Sequence, residues 1–153
     1  MPHQQGIRTI AQNRRAYHEY FVEEKVECGL VLFGTEVKSI RAGKVSIKES
    51  WAQIKNREIW VEGMHISPYE QGNIFNSDPL RRKKLLLHRK EIIKLEQGVM
   101  RQGYTLVPLE IYLRDGRVKL NLGLCKGKHL HDKRESEAKR SSEREISRAM
   151  KNR

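Results

Sequence analysis

Cysteine is scarce in this sequence: Cys28 and Cys125 are the two in 153 residues. That excludes a disulfide-stapled scaffold and suits a reducing compartment. Neither sits in the local Cys/His spacing of a zinc site, so both are read as structural. No stretch approaches about 20 consecutive apolar residues, which excludes a membrane-spanning helix. Met1-Pro2-His3-Gln4-Gln5-Gly6 carries no apolar run, so no secretion signal is expected and the cytoplasm is the expected location. Aspartate is scarce, and no Asp/Glu cluster falls at strand ends. His18, His65, His88 and His131 are scattered. Acid–base catalysis needs such groups converging in a pocket. A nucleophile elbow and a phosphate-cradling glycine loop are also missing. An enzyme, a cofactor and a metal are therefore not expected.

What is present is positive charge. Lys and Arg total 31 against 19 Asp and Glu, a formal net charge of +12 and a pI near 9.9. So large an excess on a small chain points to a polyanionic partner, above all nucleic acid. A lipid surface is the weaker rival, because no apolar anchor accompanies the charge. The length suits one domain with an extension, and a monomer.

Residues 1–12 read as a mobile, basic N-terminus. Asn13 is placed as N-cap for a short helix through Tyr20. Arg14 and Arg15 are either RNA contacts or a solvated face. From Phe21 to Leu32 apolar and polar residues alternate as in a half-buried strand, with Val22, Val26, Cys28 and Leu30 opposite Glu23, Lys25 and Glu27. Glu24 falls on the apolar side, which predicts a bulge. Gly29 on the polar face allows another chain to approach closely. A helix is expected from Gly34, with Thr35 as N-cap, Glu36 at the positive end of the dipole, and Gly43 as its left-handed stop. Lys38 and Arg41 share one face of it and, with Lys44 and Lys48, favour phosphate binding.

Residues 51–55 and 59–66 read as a hairpin turning at Asn56-Arg57-Glu58. Trp51 and Trp60 are assigned to the core. The long segment Ser67 to Lys84 ends in Arg81-Arg82-Lys83-Lys84, a cluster that suits RNA. A helix follows His88, with Glu91 in capping-box position and a kink or break at Gly98. Tyr104 to Cys125 alternates most clearly, turning at Asp115-Gly116, the pair that favours a type I′ turn. Pro108 belongs at an edge or bulge. This hairpin is expected to bury one face and to show Glu110, Tyr112, Lys119 and Asn121 on the other. Tyr112 is placed to stack on a base, and Lys119 and Asn121 join the candidate RNA contacts.

Five or six strands with inserted helices make the chain mainly β. The nearest common form is an OB-like closed antiparallel barrel over residues 13–125, with short flanking helices. Beyond it the composition changes. Lys126-Gly127-Lys128 opens a basic tail, residues 126–153, too charged to order itself alone. Lys126 and Lys128 are candidate RNA contacts. Ile146, Ala149 and Met150 at i, i+3, i+4 would form an apolar face if the tail became helical, which predicts folding on binding.

The sequence resembles the small protein B family, also called the SsrA-binding proteins. The resemblance is carried by Asn13-Arg14-Arg15-Ala16-Tyr17-His18-Glu19-Tyr20-Phe21, by Gly34-Thr35-Glu36-Val37-Lys38-Ser39-Ile40-Arg41-Ala42-Gly43-Lys44, by Leu85-Leu86-Leu87-His88-Arg89, and by Lys126-Gly127-Lys128 followed by His131-Asp132-Lys133-Arg134. It implies an OB-like barrel that binds the tRNA-like domain of transfer-messenger RNA (tmRNA, SsrA). It also implies delivery to ribosomes stalled on messages without a stop codon, for trans-translation. Family RNA-contact positions match Glu27, Leu86, His88 and Lys119; some members carry Asn at the position of His88. The family's tail occupies the empty message channel at the decoding centre as a helix. Gly127, His131, Asp132, Lys133 and Arg134 match it, with Ile146 and Met150 as distal anchors. His129-Leu130 is assigned no role. Elongation factor Tu and alanyl-tRNA synthetase enter as indirect partners, through the RNA. Glu27 repels phosphate, so on an RNA face it either accepts from guanine amino groups or holds a neighbouring Arg. The competing binding function is a general basic barrel on ribosomal RNA without tmRNA specificity.

Overall fold

The structure, a computed structural model, describes residues 6–71, 76–128, 138, 139 and 144. Its elements run β1 (Ile7–Gln12), α1 (Arg14–Glu19), β2 (Tyr20–Leu30), α2 (Gly34–Arg41), β3 (Val45–Ser46), β4 (Trp51–Lys55), β5 (Glu58–Glu62), β6 (His65–Ile66), β7 (Lys83–Leu86), α3 (Arg89–Val99), β8 (Tyr104–Arg114) and β9 (Arg117–Gly127). The large sheet has the order β1-β8-β4-β5-β7-β2-β9, and β9 pairs back onto β8. Six strands therefore close a mainly β ring, with β1 lying outside it. The ring falls short of a fully bonded barrel, because β4 meets β8 at one registered pair, Ala52 with Leu106. Strands β3 and β6 make a separate small sheet.

The dominant hairpin is β8–β9, turned by Asp115 and Gly116 at φ 51° and 79°. Both lie in the left-handed region that a type I′ turn requires. Leu106, Ile111, Leu120, Leu122 and Leu124 point into the ring, where Cys28, Ile40, Ile59, Val61, Leu85 and Leu95 meet them. The alternation does not leave the other face wet, as expected. A bulge between Pro108 and Glu110 shifts the register of β8. Val107 and Leu109 then join Cys125 in a second core under Ala16 of α1. Helix α1 is thus fastened to the outside of the hairpin, and Asn13 fixes it there: its Oδ1 accepts from Ala16 N–H (3.1 Å) and its Nδ2 donates to Pro108 O (3.0 Å). Burial pushes the Cys125 thiol up to about 11 and, with nearby carboxylates, Cys28 up to about 12.

The expected bulge near Glu24 is present, as a register shift between Val22 and Glu24. Residues 7–12 are not a free N-terminus. They pair with β8 from Ile7–Arg114 to Gln12–Glu110, covering the edge that β4 leaves open. Ile10 and Ala11 pack on the core. The barrel also runs past residue 125: Lys126 pairs with Phe21 and Gly127 with Tyr20, so both belong to β9. Helix α2 is capped at Phe33 rather than Thr35, because Glu36 reaches back to accept from Phe33 N–H (2.8 Å). The second strand of the 51–66 hairpin breaks at Gly63, φ 74°, where a Cβ would meet Glu49 O at 2.5 Å.

The basic run 81–84 is not a free RNA-binding cluster. Arg81 Nη2 lies 2.6 Å from Glu36 Oε1. The Arg82 guanidinium stacks 4.4 Å above Trp60. Lys84 Nζ lies 3.4 Å from Glu58. Lys83 is fully buried and donates to Met64 O (2.8 Å) and Pro79 O (3.3 Å). Glu36 is itself buried, 4% exposed, and also accepts from Ser77 (3.2 Å). Burial alone would raise its pKa; the bonds from Arg81, Phe33 N–H and Ser77, with the Arg81 charge, outweigh it and hold the carboxyl below the usual range. Gly98 does not break α3, which continues to Val99. The glycine is a packing requirement: a Cβ there would lie 2.5 Å from Leu124 Cδ2.

Three outcomes follow for stability. Arg81→Ala strands the buried Glu36 carboxylate and is expected to cost on the order of 3 kcal/mol in denaturant unfolding at pH 7. The loss shrinks as pH falls through the lowered carboxyl pKa, since the stability that Arg81 supplies is present only while Glu36 is ionised. Gly98→Ala should destabilise by about 1–3 kcal/mol through overpacking against Leu124, reversing the roughly 1 kcal/mol gain that Ala brings to an unconstrained helix. Burial lowers the Lys83 pKa from 10.5 to about 8. The unfolded chain then binds the extra proton between those values, so wild type should gain stability relative to Lys83→Met as pH rises from 8 to 10.5, by on the order of 2–3 kcal/mol.

Candidate nucleic-acid interface

Strands β7, β2, β9 and β8 lie side by side, and their inward residues fill the ring. The alternate residues form one outer face: Leu86 on β7, Gly29 and Glu27 on β2, Lys119 and Asn121 on β9, and Tyr112 on β8. The registers place them in contact rows. Leu86 stands beside Gly29, Glu27 beside Asn121, and Lys119 beside Tyr112. Because Gly29 has no side chain, Leu86 lies over it; a Cβ on Gly29 would sit 3.4 Å from Leu86 Cβ. Leu86 is left 50% exposed, an apolar surface amid polar neighbours. His88 follows at the start of α3, exposed, with its N–H donating to Glu91 Oε1 (3.0 Å).

Glu27 is the most organised group on this face. Arg114 Nε lies 3.0 Å from Glu27 Oε2. The Tyr112 hydroxyl donates to the same oxygen and lies 3.3 Å from the Asn121 side-chain oxygen. Burial, and then the carboxylate it serves, push the Tyr112 hydroxyl well above the ordinary phenol range, so it stays a donor. Tyr112 is 3% exposed, which removes it as a stacking platform and makes it a support for Glu27. Arg114 was not among the residues singled out from sequence. Its signal was present: it stands two residues beyond Tyr112 in an alternating strand, hence on the same face.

Other predicted contacts lie elsewhere. Arg41 is exposed and its Nη2 donates to Gly116 O (3.0 Å), tying α2 to the tip of the β8–β9 hairpin. Lys38 extends over the Tyr69 ring, 5.3 Å from its centre. Arg14 is exposed beside Lys48, in a groove lined by Thr9–Gln12. At the far end of β9, Lys126 lies 6.0 Å from the Tyr104 ring centre, and Lys128 donates to Tyr17 O (3.3 Å) and lies over Phe21. Gly127 is in the last strand rather than in a tail. His131, Asp132, Lys133, Arg134, Ile146 and Met150 lie outside the described residues. Trp51 is 50% exposed, not core; it alternates with Ala52, which does face inward. Among the described residues, no three or more His, Cys, Asp and Glu are grouped to hold a metal, and no helix is long and apolar enough to cross a membrane.

The family described as SmpB protein matches residues 10–152. The SsrA-binding protein of Acetivibrio thermocellus is 62% identical over 144 residues, covering 94% of each chain. That of Clostridium beijerinckii is 58% identical over 151 residues, covering 99% of this chain and 97% of the relative. A solved chain described as "tmRNA-SmpB: a journey to the center of the bacterial ribosome" is 47% identical, with a TM-score of 0.66 over 78% of this chain and 85% of its own. With likeness at this level from near one end to the other, the chain belongs to the SmpB protein family.

Proposed function

We propose that this chain binds the tRNA-like domain of tmRNA and delivers it to stalled ribosomes for trans-translation. One observation carries the structural side of this reading. Glu27, Leu86, Lys119 and Asn121 share a rigid outer face built on four neighbouring strands. Such a face suits an RNA recognised by shape, by backbone contacts and by unpaired bases. Support also comes from relatives named SsrA-binding protein and from a solved tmRNA–SmpB chain.

In this reading His88 borders the face from the start of α3, and Lys119 meets phosphate. Arg14, Lys38, Arg41, Lys126 and Lys128 extend the positive field around it. The tail acts separately: it enters the empty message channel of the small subunit and becomes helical there. His131 stacks on a base, Lys133 and Arg134 pair with ribosomal phosphates, and Ile146 and Met150 anchor the helix. Elongation factor Tu and alanyl-tRNA synthetase meet the complex through the RNA. The protein works as a monomer in the cytoplasm and performs no chemical step.

The test is a gel-shift titration at fixed salt, comparing the tRNA-like domain with an ordinary tRNA, for the full chain and for residues 1–130. Strong preference for the tRNA-like domain, retained after truncation, is expected. Equal binding of the two RNAs would leave a general basic rRNA-binding module. Lys119→Ala should weaken binding about three- to tenfold and lower the slope of log affinity against log salt by about 1, the signature of one lost phosphate contact.

A further inference from the structure

Of the two tryptophans, one is covered and one is bare. Trp60 lies under the Arg82 guanidinium. Trp51 is 50% exposed, and among the described residues no Lys or Arg stands over its ring. The Trp51 indole lies against the backbone at Gly63, where a Cβ would come within 3.0 Å of Cζ3. Beside it a groove opens between β4 and α1, at the place where β4 parts from β8. Ala16, Thr105 and Val107 line that groove next to the indole. Arg15 and Lys48 line it too, and both also line a second groove that follows Thr9–Gln12 to Arg14. The two grooves join into one trough, aromatic at one end and basic along the rest.

The charges of the trough are of two kinds. Arg15 Nε lies 2.9 Å from Glu19 Oε1 and its Nη1 lies 3.1 Å from Glu49 Oε1, so this arginine neutralises the two carboxylates near the indole. Arg14 and Lys48 are exposed and form no ion pair among the described residues. A half-bare indole followed by unpaired cations is the arrangement that holds single-stranded nucleic acid: a base stacks on the ring and the backbone tracks the charge. In a duplex the base faces are already stacked on one another, so the indole selects an unpaired base. An acidic peptide would use the cations and leave the indole idle. We propose that this trough binds a single-stranded RNA segment, with one unpaired base on Trp51 and its flanking phosphates at Lys48 and Arg14. Strands β4 and β1 lie along one edge of β8, while β9 and β2 lie beyond the other. The trough is therefore separate from the Glu27 and Lys119 face, and the protein can hold two RNA elements at once. This goes beyond the function proposed above and does not depend on which RNA the other face takes.

The experiment uses full-length Trp60→Phe, in which Trp51 is the remaining tryptophan, and a short oligoadenylate as probe. Binding should quench the Trp51 fluorescence. Anisotropy of the labelled probe then compares variants, each checked for folding by circular dichroism. Trp51→Ala should weaken binding about tenfold, within the range of one base–aromatic stack, and leave the salt slope unchanged. Trp51→Tyr should restore most of the affinity, which loss of a merely structural ring contact would not predict. Arg14→Ala and Lys48→Ala should each lower the slope of log affinity against log salt by about 0.7, the value for one phosphate of a single strand. Saturating tRNA-like domain should leave the probe bound and Trp51 quenched. Absence of quenching, or equal probe affinity in Trp51→Ala, would overturn the inference. Displacement of the probe by the tRNA-like domain would also overturn it, by placing the short RNA on the Glu27 face. Equal quenching by an oligoglutamate peptide would do so as well, by making the trough a surface for acidic protein. None of these results touches the preference for the tRNA-like domain, and loss of that preference would leave this site standing.

Discussion

Strand β8 is asked to satisfy more neighbours than one strand usually meets. Along one edge it carries β9 for its whole length; along the other it takes a single pair from β4 and then β1. Its two faces supply two different cores. The bulge at Pro108–Glu110 makes this possible, and proline belongs there because it has no N–H to give to a ladder. Past the bulge, Ile111 faces the ring; before it, Val107 and Leu109 face α1. The outer face depends on the same shift, since it turns Tyr112 outward to meet Glu27 across β9.

Charge divides into two populations. The chain carries 31 basic residues, but several do structural work. Arg81 neutralises a buried carboxylate, Lys83 caps two carbonyls inside the protein, and Arg101 holds Glu23 through a short pair of 2.6 Å. Lys119 belongs to the other population: it forms no ion pair among the described residues. Composition counts both alike, so net charge identifies the kind of partner without locating the surface that meets it.

That distinction explains what was legible in the sequence. Period-two alternation exposed β2, β8 and β9, and the Asp115-Gly116 turn set the register between the last two. The same alternation put Glu27, Lys119 and Asn121 on one side. What stayed hidden depends on contacts between distant segments. Ile7–Gln12 is a strand because β8 has an edge left to fill. The 81–84 cluster is internal because Glu36, far off in sequence, is buried beside it. Gly98 sits within a helix because Leu124 crosses it. Trp51 is the exception, since its neighbour Ala52 already marked the inward side.

The single Ala52–Leu106 pair that joins β4 to β8 also sets how cooperatively the ring can come apart. On its other side the β4–β5 hairpin is held by three registered pairs to β7, while β2, β9 and β8 are zipped along nearly their full lengths. The ring is therefore a three-strand slab zipped along its length, closed by a lighter β4–β5–β7 wall that meets it at one registered pair on the β8 side and two on the β2 side. Glu27, Lys119, Asn121 and Tyr112 lie on the slab, whereas Leu86 reaches the same face from β7. Local opening is therefore expected first along these short joints, and the carboxylate cluster around Glu27 sits away from them, between strands paired over most of their length.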